Sequence, residues 1–248
     1  MTLLTKTDAL TLENVWVQFG GLAALADVSL KIPSFSIFGI IGPNGAGKTT
    51  LFNTITGLTQ PTKGSVKFFS QDLKGLSCDQ VSRLGIARTF QNIRLFASMT
   101  VFENLLVAAE QKLPHAQAVA KCEELLEFFH FQSQKDVLGI ALAYGDQRRL
   151  EIARGLATQG QILLLDEPAA GLNPQETLHL HELIIKIRNH FKRTVILIEH
   201  DMKLVMGLCE TIAVFDYGKK IACATPAAIQ KNPAVIEAYL GYQAEFHH

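Results

Sequence analysis

Gly42-Pro43-Asn44-Gly45-Ala46-Gly47-Lys48-Thr49-Thr50 combines glycines with a lysine and two hydroxyls in one short run. It satisfies the pattern G-x-x-x-x-G-K-[ST], preceded by an apolar strand and opening a helix. Glycines let a backbone wrap closely around phosphates with its N–H groups turned inward. The helix N-terminus adds a favourable dipole. Lys48 is placed to reach β- and γ-phosphates, and Thr49 to offer its hydroxyl to Mg²⁺. The run predicts a nucleotide-binding loop formed by Gly42 to Thr50, with ATP and Mg²⁺ as its ligands.

A second constellation is Ile162-Leu163-Leu164-Leu165-Asp166-Glu167-Pro168, an apolar strand ending in adjacent carboxylates. Alone, such a pair can simply mark where a strand meets solvent. In a chain with a phosphate-binding loop it has a use. Asp166 can hold Mg²⁺, commonly through water, and Glu167 can polarise a water for in-line attack on a γ-phosphate. A third run, Leu142-Ala143-Tyr144-Gly145-Asp146-Gln147-Arg148-Arg149, opens a helix continued by Leu150, Ala153, Leu156 and Ala157. Its Asp146 to Arg149 part also reads as a solvated charged turn.

These residues need elements to hold them. The wholly apolar run Ile37 to Ile41 is expected of a strand buried on both faces. Similar strands recur at Ile162 to Leu165 and Val195 to Ile198, each followed by a helix start. Asn173-Pro174 is an N-cap with proline at the first helical position, ahead of a Leu180, Leu183, Ile184, Ile187 stripe. Asp201 caps a helix carrying Leu204, Val205 and Leu208. This alternation predicts a parallel sheet with helices packed on it. Before it, a strand from about Leu10 to Phe19 and the alternating Ala24 to Ile32 are joined by Gly20-Gly21, a hairpin signal. Residues of about 77–158 break the alternation and read as mostly helical. They contain a Ser77/Gln80 capping box and stretches at Val101 to Gln111 and Ala116 to Phe129. Two short strands, Thr211 to Phe215 and Lys220 to Ala224, flank Asp216-Tyr217-Gly218. Short helices are then expected at Thr225-Pro226 and Asn232-Pro233.

Composition excludes several classes. With 23 Lys plus Arg against 23 Asp plus Glu, the chain is neither a globally basic nucleic-acid binder nor an acidic disordered chain. Runs such as Phe35 to Ile41 are strand-sized, far below the roughly 18 residues of a membrane-spanning helix. Mean hydropathy is nonetheless +0.18, which points to a large core, a sticky partner face, or both. Met1 to Asp8 has no apolar core of a secretory signal. Cys78, Cys122, Cys209 and Cys223 show neither C-x-x-C nor zinc spacing, and read as reduced, mostly buried thiols of a cytosolic protein.

The order of these motifs resembles that of ATP-binding-cassette (ABC) ATPases, from about Leu10 to Gly241. The resemblance implies one ABC domain over 1–248, α/β in class. Its P-loop NTPase core would carry an N-terminal antiparallel β subdomain and, at about 77–158, an inserted helical subdomain. Leu142-Ala143-Tyr144-Gly145-Asp146 corresponds to the family's L-S-G-G-Q signature, which contacts the γ-phosphate bound to a second subunit. It departs at Ala143, Tyr144 and Asp146. Ala143 removes a hydroxyl donor, a loss of roughly 0.5–1.5 kcal/mol for an ordinary hydrogen bond, while helix-start N–H groups remain. Gln91, in Arg88-Thr89-Phe90-Gln91-Asn92, falls at the glutamine that senses Mg²⁺ and water and signals to the membrane partner. His200, after the Val195 to Ile198 strand, falls at the histidine that contacts the γ-phosphate. Phe19, 23 residues before Gly42, either packs in the core or takes the place of the family's adenine-stacking aromatic. Ala170-Gly171-Leu172-Asn173 stands for the S-A-L-D turn, with Asn for Asp.

Within the family, Ala87 to Phe96, Met99 to Ala108, Asp166 to Pro174 and Ile198 to Met206 resemble the ATP-binding subunit of branched-chain amino acid importers. That resemblance implies a peripheral subunit on the cytoplasmic face of the inner membrane. Its partners would be a second ATP-binding subunit, transmembrane permease subunits and, indirectly, a periplasmic or extracellular binding protein, with no nucleic acid. The alternatives are the ATPase of lipopolysaccharide export or of another ABC transporter, and a soluble non-transport ABC ATPase. A P-loop kinase would leave the signature segment and His200 unexplained. The apolar cluster Leu95, Phe96, Met99, Val101 and Phe102, with Arg94, either packs inside the helical insertion or docks a short helix of the permease.

Overall fold

The computed structural model describes residues 7–244; His247 and His248 lie outside the described residues. Strands β1 (Asp8–Phe19) and β2 (Leu22–Pro33) pair antiparallel across Gly20-Gly21, as their alternation predicts. Then come β3 (Ile37–Ile41), α1 (Lys48–Ile55), β4 (Lys63–Phe68), β5 (Gln71–Asp72), α2 (Cys78–Leu84), β6 (Ile86–Arg88), α3 (Val101–Ala109) and α4 (His115–Phe129). The remainder is α5 (Tyr144–Ala157), β7 (Ile162–Asp166), α6 (Pro174–Phe191), β8 (Thr194–Ile198), α7 (Met202–Leu208), β9 (Thr211–Asp216), β10 (Lys219–Ala224), α8 (Pro226–Ile229) and α9 (Pro233–Ala244).

Two sheets result. The antiparallel one runs β2-β1-β4-β5, and the larger one β10-β9-β3-β8-β7-β6. In the larger sheet β9, β3, β8, β7 and β6 are parallel, and β10 returns antiparallel as a hairpin. The wholly apolar strands are buried on both faces, because successive side chains enter different cores. Phe38, Ile40, Leu164, Ile196 and Ile198 face a cluster shared with α1 and the antiparallel sheet. Ile37, Ile41, Leu163, Leu165, Val195 and Leu197 face a cluster shared with α3 to α6.

Caps fix the helix starts. Ser77 with Gln80, Thr100 with Glu103, and Asn173 with Glu176 each form a reciprocal capping box. Asp201 accepts from the amides of Lys203 and Leu204 to start α7.

Three strands differ from the sequence reading. β4 and β5 go unannounced, since only Val66 and Phe68 are buried along the pair. β6 lies inside the stretch expected to be mostly helical, and pairs in parallel with β7 as the edge of the large sheet. Three residues are too few for a period to show. α9 spans twelve residues where only a short helix was expected.

All four cysteines are free. Burial pushes the Cys122 and Cys209 thiols up to about 11 and about 12, so both are poor nucleophiles.

Candidate active site

The loop from Gly42 to Gly47 leaves the centre of the large sheet, since β3 pairs with β8 on one side and β9 on the other. Two glycines are sterically required. A Cβ on Gly42 (φ +151) would stand 2.2 Å from the Phe215 carbonyl oxygen, and one on Gly47 (φ +98) 2.6 Å from that of Ala24. Main-chain bonds lace the loop to its surroundings: Gly218 N donates to Ala46 O at 3.1 Å, and Ala26 N to Gly218 O at 2.9 Å. Gly47 caps α1 without any side-chain bond, so the cap residue leaves the first-turn amides of α1 free of a side-chain acceptor of its own.

Lys48 Nζ donates to the carbonyls of Gly42 (2.6 Å) and Pro43 (2.8 Å). Burial pushes its pKa below the ordinary lysine range, opposed by the charges of Glu167 and Asp166. Above the loop lies a cleft of about 450 Å³ whose lining includes Phe19, Asn44 to Thr50, Glu167, His200 and Tyr217. Phe19 is 55% exposed, so it belongs to the mouth of this cleft and not to the core. Tyr217, in the β9–β10 turn, is a second aromatic there that the sequence reading passed over.

Glu167 follows the end of β7 in a left-handed conformation (φ 47), its amide bonded to Ile198 O at 2.9 Å. Its carboxylate joins two residues far away in sequence. Gln91 Nε2 donates to Oε2 at 2.8 Å, and His200 Nε2 lies 2.6 Å from Oε1. Asp166 does not line the cleft. Its Oδ2 accepts from Arg88 Nη2 at 2.7 Å, in a pair 6% and 8% exposed, and Arg88 Nη1 also donates to Asn53 Oδ1 at 2.7 Å. Buried Glu199 ties the two strand ends together, accepting from the amides of Ala169 (2.8 Å) and His200 (3.1 Å). Burial raises its carboxyl above the usual range, and these amide bonds work against that shift.

Leu142 to Asp146 is not brought into this cleft. Leu142 is buried, and Ala143, Gly145 and Asp146 border a separate cavity of about 320 Å³ against α6. Ala143 caps α5 with no side-chain bond, consistent with its missing hydroxyl. The reading of Asp146 to Arg149 as a solvated turn is corrected at Arg148, which is wholly buried and ion-paired with Glu151. Their i, i+3 spacing on a helix was the available signal. The apolar cluster after Gln91 also divides. Val101 is wholly buried and Leu95 and Phe102 pack against the core, so these three are packing residues. Phe96 remains 44% exposed, with the Arg154 guanidinium 5.0 Å from its ring centroid, beside a groove of about 190 Å³.

Comparison with known proteins agrees with this geometry. The family described as "ABC transporter" matches residues 25–170, and "Branched-chain amino acid ATP-binding cassette transporter" matches residues 219–245. The chain is 47% identical to the high-affinity branched-chain amino acid transport ATP-binding protein LivG of Escherichia coli (strain K12), over 94% of this chain and 97% of that protein. It is 35% identical to the lipopolysaccharide export system ATP-binding protein LptB of Haemophilus influenzae, over 94% and 98% respectively. The crystal structure of the ADP conformation of MJ1267, an ATP-binding cassette of an ABC transporter, superposes with a TM-score of 0.87 at 29% identity, covering 95% of this chain and 99% of that one. Motif order, sheet topology and these matches together place the chain in the ABC transporter family, as an ATP-binding subunit that hydrolyses ATP.

Proposed function

We propose that this chain powers an importer of branched-chain amino acids, two ATP-binding subunits closing on two ATP molecules beneath a pair of permease subunits. It would sit at the cytoplasmic face of the cell membrane, fed by an extracytoplasmic binding protein. No helix among the described residues is long and apolar enough to cross a membrane. Residues 1–248 act as one ABC domain, with the helices between about 77 and 158 as its inserted subdomain.

One observation carries the chemistry: the Glu167 carboxylate is held between Gln91 and His200 at the rim of the phosphate-loop cleft. In this reading the loop amides and Lys48 bind the phosphates, and Phe19 stacks on the adenine. Glu167 accepts a proton from the attacking water. Gln91 and His200 fix the direction of its oxygens and report on the γ-phosphate. The start of α5 faces the nucleotide held by the other subunit.

The residues present also suit Mg²⁺. No group of three or more acidic, His or Cys side chains among the described residues could cage a metal. That donor poverty fits an ion that keeps several waters and shares its ligands with substrate phosphates. Thr49 would hold it, with Gln91 and the Asp166 oxygen that Arg88 does not engage assisting. When bound, the ion neutralises charge on the transferring phosphoryl group.

The substrate assignment is supported by the match at residues 219–245 and by the greater identity to LivG than to LptB. The test is reconstitution of the chain in proteoliposomes with its permease and binding protein. ATP-dependent leucine uptake, lost with Glu167→Gln, is expected. ATP-dependent release of lipopolysaccharide without leucine uptake would transfer the assignment to export.

A further inference from the structure

Arg148 and Glu151 form an ion pair, Nη1 to Oε2 at 2.9 Å, with side chains 0% and 2% exposed. Such a pair is an inefficient core stabiliser. Dehydrating both charges offsets most of their attraction, and apolar residues of similar volume often serve as well or better. Glu151 registers that cost, because burial pushes its carboxyl above the ordinary range against the opposing Arg94 amide and Arg148 charge.

The pair instead reaches out of its helix. Arg148 donates from Nη1 to Phe90 O at 2.8 Å and from Nη2 to Gln91 O at 2.7 Å. Glu151 Oε1 accepts from the amides of Arg94 at 3.1 Å and Phe90 at 3.4 Å. One ion pair thus satisfies four main-chain groups of a segment that has no regular structure of its own. Arg148 Nη2 also lies 3.5 Å from the Tyr144 hydroxyl, which donates to Ala170 O at 3.1 Å. The Tyr144 ring packs on the next residue, since a Cβ on Gly171 would meet it at 3.0 Å. Tyr144 stands where the family signature has a glycine, so the link to Ala170 belongs to this departure.

We propose that Arg148, Glu151 and Tyr144 are positioning residues that make the Gln91 segment, the start of α5 and the Ala170 to Asn173 turn move as one body. The inference rests on the reading that Gln91 and the start of α5 serve ATP hydrolysis. A shift of Gln91 at Glu167 is then passed to the start of α5, which borders a different cavity, and to the turn entering α6. In a two-subunit assembly this links one nucleotide site to the other through a single chain. Buried, forked hydrogen bonds suit that task better than apolar contacts, because they fix direction as well as distance.

The experiment uses the full chain and combines steady-state ATP hydrolysis, binding of a fluorescent ATP analogue and amide hydrogen exchange. Arg148→Met should lower kcat about tenfold or more with nucleotide affinity within about twofold of wild type. It should also speed exchange in both the 90–94 and 170–173 segments. Glu151→Gln, which keeps the volume, should act in the same direction more weakly, and decides the matter should Arg148→Met not fold. Tyr144→Phe should lower kcat about threefold and speed exchange at 170–173 alone. Wild-type exchange at 170–173 in a folded Arg148 or Glu151 variant would overturn the link, as would wild-type exchange there in Tyr144→Phe. Gln91→Ala separates the two readings. Wild-type kcat in that variant would remove Gln91 from hydrolysis, while the exchange pattern still decides whether the three segments are joined.

Discussion

The phosphate loop, which lines the cleft, and the Gln91 segment, which meets the cleft at Glu167, are positioned by opposite means. The loop is positioned by backbone: it leaves a central strand, enters a helix, and is stitched by a main-chain bond to the β9–β10 turn, which is itself bonded to β2. The Gln91 segment leaves a three-residue edge strand and meets no helix until Val101. Side chains hold it, namely Arg148 and Glu151 at residues 90–94 and buried Asn104 beyond. Asn104 Nδ2 donates to the carbonyls of Phe96 (3.1 Å), Met99 (3.1 Å) and Thr100 (2.9 Å). Backbone positioning makes a fixed cradle. Positioning by a few side chains makes a segment that can shift as a unit, as the reporting role proposed for Gln91 requires.

Substitutions can break this contrast. The largest effect is expected at Glu167→Gln, where glutamine still hydrogen-bonds a water but cannot take its proton. Phosphate release should fall by about 10²–10⁴-fold, with ATP binding retained and light scattering showing a shift toward dimer. Wild-type turnover would mean that another base operates. Arg88→Met comes next, at the seam between the two regions. It leaves the buried Asp166 carboxylate without its cation, a loss of about 3–5 kcal/mol, or a fall of about 6–20 °C in Tm by calorimetry. An unchanged Tm would show that Asp166 is not dependent on this pair. Lys48→Ala removes the ammonium held at the Gly42 and Pro43 carbonyls and should weaken Mg-ATP binding by about 1.5–3 kcal/mol by titration calorimetry, without melting the fold. Undiminished affinity would strike Lys48 from the phosphate site. Phe96→Asp should change ATPase activity least, by about threefold or less, because the ring is half-exposed and outside the cleft. Its effect should appear in failed co-purification with the permease, and wild-type yield with intact transport would refute docking at Phe96.

The same contrast explains what could be read from sequence. The phosphate loop, the three apolar strands and the Asn173 and Asp201 caps depend on local pattern, and the sequence predicts them within a residue or two. The Gln91–Glu167–His200 meeting was readable only as motif order, because the sheet order β8-β7-β6 brings the three strand ends together. Arg148 and Arg149 look alike in a charged run, yet one is wholly buried and the other partly exposed. What buries Arg148 is the Gln91 segment, more than fifty residues away, and no local period encodes that. β6 is silent for the same reason: three residues become a strand only because Ile162 to Leu164 lie beside them.

The central sheet has one further consequence. Ile40 faces the cluster under the antiparallel sheet, while its covalent neighbour Ile41 faces the helices on the other side. Adjacent letters of this strand therefore belong to different neighbourhoods, with the backbone as a party wall. Packing changes on one side are screened from the other, so each core can drift, or be redesigned, without renegotiating with its twin. The wall itself cannot drift, because Gly42 continues from it against the Phe215 carbonyl with no room for another atom. Evolutionary freedom on both faces thus ends at the edge where the phosphate loop begins.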